Sequence, residues 1–206
     1  MQDKSTQHDL RERLDLIECM ISEGRRKTES WGWTFLLWGL AYFVAIFWAS
    51  MGGSASIWGV HTVLAWPVTM IVAALLTIAI GMRKGKGKPD TTMGRAIVSI
   101  WIAVGISMIL IFPSLASTGR LDEHSFVAIV AGMLGVANGA SGIFLRWKSQ
   151  FACAVVWWIT SVAACFGSDT QLMIVFLSAL FLCQIVFGIY AMMMESRRKQ
   201  REIAHA

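Results

Sequence analysis

Residues Glu23 to Trp48 read EGRRKTESWGWTFLLWGLAYFVAIFW. Three basic residues in a row, Arg25, Arg26 and Lys27, are followed closely by Trp31 and Trp33 and then by a long apolar run without charge. Lys and Arg are retained on the cytoplasmic side of a membrane, and Trp concentrates at its water boundary. The junction therefore predicts where a bilayer begins and in which sense the chain enters it.

The same alternation recurs downstream. No Asp, Glu, Lys or Arg occurs in 30–82, 96–119, 125–145, 149–168 or 170–194. A hydrocarbon layer of about 30 Å needs roughly 20 apolar helical residues. The first window holds two such spans and each of the others holds one. The sequence thus reads as an all-α polytopic membrane protein with six transmembrane helices, at about 31–51, 57–82, 96–113, 125–145, 150–167 and 170–194. A cytoplasmic amphipathic helix in 1–30 precedes them, and a basic cytoplasmic tail in 195–206 follows.

Only 15% of the 206 residues are charged, against about 25% in soluble domains. The uncharged windows are also longer than a soluble core helix requires. A transmembrane barrel would show segments of about 10 residues with alternating polarity, which these windows lack. Both competing architectures are excluded on length and pattern.

Charge counts set the orientation. Seventeen of the eighteen Lys and Arg residues fall in the N-terminal segment, in the 83–95 loop (which includes Arg83 and Lys84), in the short loop with Arg146 and Lys148, and in the tail with Arg197 and Arg198. Only Arg120 falls on the other side. Acidic residues in the N-terminal segment contribute little to this rule, so both termini are expected in the cytoplasm, at the inner (plasma) membrane. Basic residues confined to segments beside apolar spans point to anionic headgroups as partners rather than to nucleic acid.

Within 1–30, Leu10, Leu14, Ile17 and Ile21 recur at spacings of four, three and four, the period of one helix face. Such a helix lies on the headgroups or against the cytoplasmic ends of the bundle; as a two-heptad coiled coil it would instead dimerise the chain or dock a partner. Gly24 is expected to end or bend it before the membrane. Gly52, Gly53 and Ser54 predict a tight turn, Pro67 a kink near His61 and Trp66, and Pro113 the end of the third span. The 83–95 loop reads as solvated rather than folded.

In the fourth span Ala128, Gly132, Gly135, Gly139 and Gly142 fall at spacings of four, three, four and three. A continuous row of small residues lets helix backbones approach closely, a main source of association in lipid. The row is expected to be the packing groove of the bundle, with a homo-oligomer interface as the alternative. Asn138 and Gln184 are the uncharged polar side chains expected near mid-membrane, with Ser141 one turn from Asn138. They read as interhelical hydrogen-bond groups or, with His61, as the lining of a polar route. His124, in a loop with Asp122 and Glu123, reads as solvated. Of the ten tryptophans, Trp31, Trp33, Trp58 and Trp147 are assigned to the interfacial belts and the others to packing.

No charged residue interrupts the spans, so the buried charges of ion-coupled pumps are missing. There is no P-loop, HExxH, GxSxG or Rossmann glycine pattern. The four cysteines, Cys19, Cys153, Cys165 and Cys183, have neither metal nor disulfide spacing. No cofactor, metal or catalytic residue is expected. The sequence leaves two functional expectations. One is a non-enzymatic accessory or signalling module that acts through its cytoplasmic helix on a membrane or cytoplasmic protein partner. The other is a small transporter or channel for a neutral or apolar solute.

Overall fold

The computed structural model describes residues 2–50, 65–85 and 92–204. These residues form seven helices: α1 (Gln2–Glu29), α2 (Gly32–Ser50), α3 (Ala65–Gly85), α4 (Thr92–Ser117), α5 (Glu123–Phe144), α6 (Lys148–Phe166) and α7. The last runs without interruption through Asp169–Leu180, a π-helical stretch Phe181–Val186, and Phe187–Ala204. Six of the seven, all but α1, are long and apolar enough to cross a membrane.

The chain forms two compact units. The first comprises Met1–Ser30 and Asp90–Phe176, the second Trp31–Pro89 and Leu177–Ala206. In the first unit α5 is central, packed along α6 and against α4. Its start is fixed by Asp122, whose side chain accepts a hydrogen bond from the Ser125 amide at 2.9 Å. That carboxylate satisfies one of the free amides of a helix start, and Glu123 in the first turn faces the positive end of the helix dipole. The hydrogen bonds from Ser125 hold the Asp122 carboxyl below the usual carboxylate range.

Two helices end alike. At the end of α4, Gly119 adopts φ 66, its amide bonds the Ala116 carbonyl at 3.1 Å, and the Arg120 amide bonds Leu115 at 3.0 Å. At the end of α5, Arg146 adopts φ 49, its amide bonds Ile143 at 3.1 Å, and the Trp147 amide bonds Gly142 at 2.8 Å. Both are Schellman endings, in which a left-handed residue turns the chain back on the last free carbonyls. Glycine takes that conformation without strain; Arg146 does not.

Several local expectations are corrected. Helix α1 neither ends nor bends at Gly24; it runs on to Glu29, and the break falls at Ser30–Trp31. Gly24 serves close packing instead, since a Cβ there would lie 2.6 Å from Cγ of Met93. Helix α4 continues four residues beyond Pro113; the proline withdraws the amide that would bond the Ile109 carbonyl one turn earlier but does not end the helix. The basic tail after Met194 continues α7 as helix to Ala204. The expected turn at Gly52–Ser54 and the kink near His61 lie outside the described residues. Pro67 itself falls in the first described turn of α3.

In the second unit α2 packs on α3 and on the latter part of α7. Its contact with α7 is made by glycine against glycine: a Cβ on Gly32 would lie 2.9 Å from the Gly188 carbonyl oxygen, and one on Gly188 3.0 Å from that of Gly32. Phe35 meets Phe187 edge-on at 5.0 Å, and Tyr42 meets Trp66 at 5.9 Å. The Trp38 indole donates to the Thr77 hydroxyl at 3.1 Å, joining α2 to α3.

Candidate functional site

The small-residue row of α5 faces α6. Cβ atoms on Gly135 and Gly139 would strike the Trp158 ring, and one on Gly142 would lie 2.7 Å from the Phe151 backbone nitrogen. Gly132 faces Ser161, whose hydroxyl donates to the Ala128 carbonyl at 2.7 Å. These contacts pair 142 with 151, 139 with 154, 135 with 158 and 128 with 161. The two helices are therefore antiparallel, in a register where paired residue numbers total about 293.

That register locates the polar residues. Ser141 stands level with about residue 152, roughly 3 Å along the axis from Gln150, and Asn138 with about residue 155, roughly 7–8 Å along the axis from it. At 3.6 residues per turn, Leu134, Asn138, Ser141 and Leu145 form a second row on α5, turned roughly 80–140° from the glycine row. On α6, Gln150, Cys153, Trp157, Thr160 and Ala164 form a row turned roughly 60–140° from the α5-facing side, in the same helical sense. Because the helices are antiparallel, equal senses of rotation bring both rows to one side of the hairpin.

That side is buried and polar. Asn138, Ser141 and Gln150 are each 0% exposed. The Asn138 amide nitrogen bonds the carbonyl of Leu134 in its own helix at 2.9 Å, and the Thr160 hydroxyl bonds Val156 likewise. Asn138 Oδ1, Ser141 Oγ, both terminal atoms of Gln150 and the Trp157 indole N–H have no hydrogen-bond partner. Each such buried group costs about 1–3 kcal/mol. Together they offer acceptors, donors and one hydroxyl that can act as either, all uncharged. Among the described residues, Asn138 bonds only within its own helix and Ser141 Oγ has no hydrogen-bond partner.

Gln184 belongs to the second unit, where it lies in the π-helical stretch with Cys183. It is 2% exposed, its Oε1 has no partner, and its Cβ packs at the site of Gly39. Wide π turns are rare and cluster at functional positions. The neighbouring turn opens onto an apolar groove of about 440 Å³ lined by Phe43, Leu177, Ser178, Phe181 and Leu182. His61 lies outside the described residues.

At the far end of the hairpin His124 is not simply solvated. Its Nδ1 lies 2.7 Å from the Ala164 carbonyl and its Nε2 2.9 Å from Asp169 Oδ1. Both partners accept, so both ring nitrogens donate, as in the imidazolium. The ring ties the starts of α5 and α7 to the end of α6. The uncharged run of α5 opens at Ser125, so His124 stands outside it with Asp122 and Glu123. Asp169 and the Ala164 carbonyl hold its pKa above the ordinary 6.5.

At the opposite end, Arg25 of α1 places its guanidinium 5.5 Å from the Trp147 ring centroid. Trp147, assigned from sequence to the interfacial belts, is 2% exposed. Arg26, Arg83 and Arg197 are exposed and Arg198 half-buried; Lys84 lies in α3, and Lys27 in α1. Lys199 pairs with Glu195 one turn earlier at 2.8 Å. Cys19 and Cys165 are exposed and Cys153 and Cys183 buried, and among the described residues no group of three His, Cys, Asp or Glu side chains is placed to hold a metal ion.

Sequence reasoning passed over Gln150 and the His124–Asp169 pair. Gln150 sits two residues after Lys148 and reads as a boundary residue; only the buried first turn of α6 reveals it. The pair had a signal, because His124 directly precedes the fourth span and Asp169 sits in the turn before the sixth, at the same end of the bundle. Neither a family model, nor a curated protein, nor a solved structure matches this chain.

Proposed function

We propose that this chain is a non-enzymatic, multi-pass protein of the inner (plasma) membrane, with both termini in the cytoplasm. It serves as an accessory or signalling module whose N-terminal helix and basic tail engage a protein partner or anionic lipid. The observation that supports this most is the state of α1. Its C-terminal part is tied to the first unit through Gly24 and Arg25, while Leu10, Leu14, Leu16 and Ile17 are 51–62% exposed. A long helix held near one end, with exposed apolar side chains ahead of that contact, is suited to meeting a partner or a lipid surface. The charge distribution of the sequence supports the orientation.

Native mass spectrometry of the complex, gently solubilised from its own membranes, tests the module. Loss of a co-purifying protein or lipid on deleting residues 1–22 is expected. An unchanged complex and an unchanged phenotype would overturn the reading.

A second reading rests on a separate observation, the unpaired buried atoms of Asn138, Ser141, Gln150 and Gln184. Uncharged donors and acceptors of this kind suit a route for a neutral solute. Under it, Asn138→Leu together with Gln184→Leu abolishes solute movement while deletion of 1–22 does not.

A further inference from the structure

Gly24 and Thr28 are buried, and the site of a Gly24 Cβ lies 2.6 Å from Met93 and 3.0 Å from Leu145. Met93 is in the first turn of α4 and Leu145 caps the end of α5. This face of α1 therefore rests on the end of the first unit where two apolar helices stop, beside Arg146 and Lys148.

The helix is continuous from Gln2 to Glu29, so its faces can be followed back from that contact. At 3.6 residues per turn, Leu10, Leu14, Ile17 and Ile21 fall within roughly 80° of Gly24, in line with the docked face. Burial fades along this line: Ile21 is half-buried, while Ile17, Leu14 and Leu10 are exposed. From Gly24 to Leu10 the stripe runs on for about 21 Å. Glu12, Asp15 and Glu23 fall on the opposite side, Arg13 borders one edge of the stripe, and Arg25 and Glu18 border the other.

Resting on the reading that the six apolar helices span a membrane and that α1 is the acting element, we propose that the occupant of this stripe is the anionic lipid surface surrounding the bundle. In this arrangement the face that covers the ends of α4 and α5 continues past them along the headgroup layer. Leu10, Leu14 and Ile17 enter the boundary layer, and Arg13 at the stripe's edge reaches towards phosphates, while Arg25 stays over Trp147. The acidic face is left turned to the cytoplasm. A parallel pairing of two α1 helices fits less well. Its seam would run along this same face, which at Gly24 is already filled by Met93 and Leu145.

Spin labelling of the full chain tests this. Exposed Cys19 and Cys165 are replaced by Ser, and single cysteines are placed at Leu14, Ile17, Asp15 and Glu12. All four positions are exposed, so the labels leave the bundle intact. A label at Ile109, an exposed position within α4, reports the membrane itself. The protein is placed in vesicles of phosphatidylcholine, with or without phosphatidylglycerol.

With phosphatidylglycerol present, labels at 14 and 17 are expected to respond to dissolved oxygen over a water-soluble nickel chelate, and those at 12 and 15 to do the reverse. In phosphatidylcholine alone the contrast is expected to fall. Labels at 14 and 17 that stay water-accessible while Ile109 is lipid-embedded would overturn the inference and leave the membrane reading standing. Spin–spin broadening between copies at 17 would overturn it in favour of a second copy of the chain. Equal depth in both lipids would overturn the role of charge. A water-accessible Ile109 would instead sink the membrane reading.

Discussion

Replacing Gly142 with Ala is expected to destabilise the α5–α6 hairpin, and by more than the same change at Gly135. A Cβ at 142 lands 2.7 Å from the Phe151 nitrogen and 3.0 Å from its Cα. Carbon contacts settle at about 3.5–4.0 Å, so roughly 1 Å must come from moving one helix backbone off the other. A gap of about 0.5–1 Å forfeits a quarter to a half of each contact well along the shared face. The expected cost of such overpacking is about 1–3 kcal/mol. At 135 the intruded atoms belong to the Trp158 ring, which is 37% exposed and free to turn outward. Gly105 supplies the control, since a Cβ there meets nothing within 4 Å. Its replacement by Ala carries only the helix-propensity gain of about 1 kcal/mol. Comparing G142A with G105A cancels that gain and exposes the contact cost, with G135A falling between them. Unfolding of the detergent-solubilised protein, followed by circular dichroism, measures all three. G142A as stable as G105A would refute backbone contact as the spacer of this hairpin.

Arg146→Gly is expected to raise stability by about 1 kcal/mol, because it removes the left-handed strain at an exposed site; an unchanged midpoint in the same assay would count against it. Gln150→Leu is expected to leave stability unchanged or raise it by up to about 3 kcal/mol, by removing a buried amide without partners. Loss of stability there would mean that the amide is held after all. The His124–Asp169 link stabilises the fold while the imidazole is protonated. With its folded pKa raised, that contribution is complete below pH 6.5 and fades as pH rises through the higher folded value. Thermal midpoints of the native protein and of Asp169→Asn should therefore differ most at mildly acid pH and converge in alkali. A gap that widens with pH would reverse the assigned sign.

The helical architecture was legible because charge is expelled from whole stretches of chain, and an uncharged run of about 20 residues is longer than a soluble core helix needs. The glycine row was legible for a related reason, since its spacing repeats over four turns of one helix. What stayed hidden depends on two elements meeting. Gly24 looks like a helix breaker in sequence, and only the approach of Met93 makes it a packing position. Trp147 resembles a boundary residue until Arg25 folds over it. The fate of Asn138 and Ser141 depends on how α5 turns against α6, an angle that local spacing does not encode. The π-helical stretch left no trace, because FLCQIV is as apolar as the α-helix on either side.

That stretch has a consequence for how the chain tolerates change in length. A π turn holds one residue more than an α turn of similar reach. In an ordinary helix, deleting one residue swings everything beyond it by about 100°, which in α7 would carry Phe187 and Gly188 away from Phe35 and Gly32. Within Phe181–Val186 the surplus residue is already present. Removing one there lets the backbone relax to an α-helix while the later face keeps its aim. Residues 181–186 are thus a length buffer, the place in α7 where a shortened gene would still yield the same seam with α2.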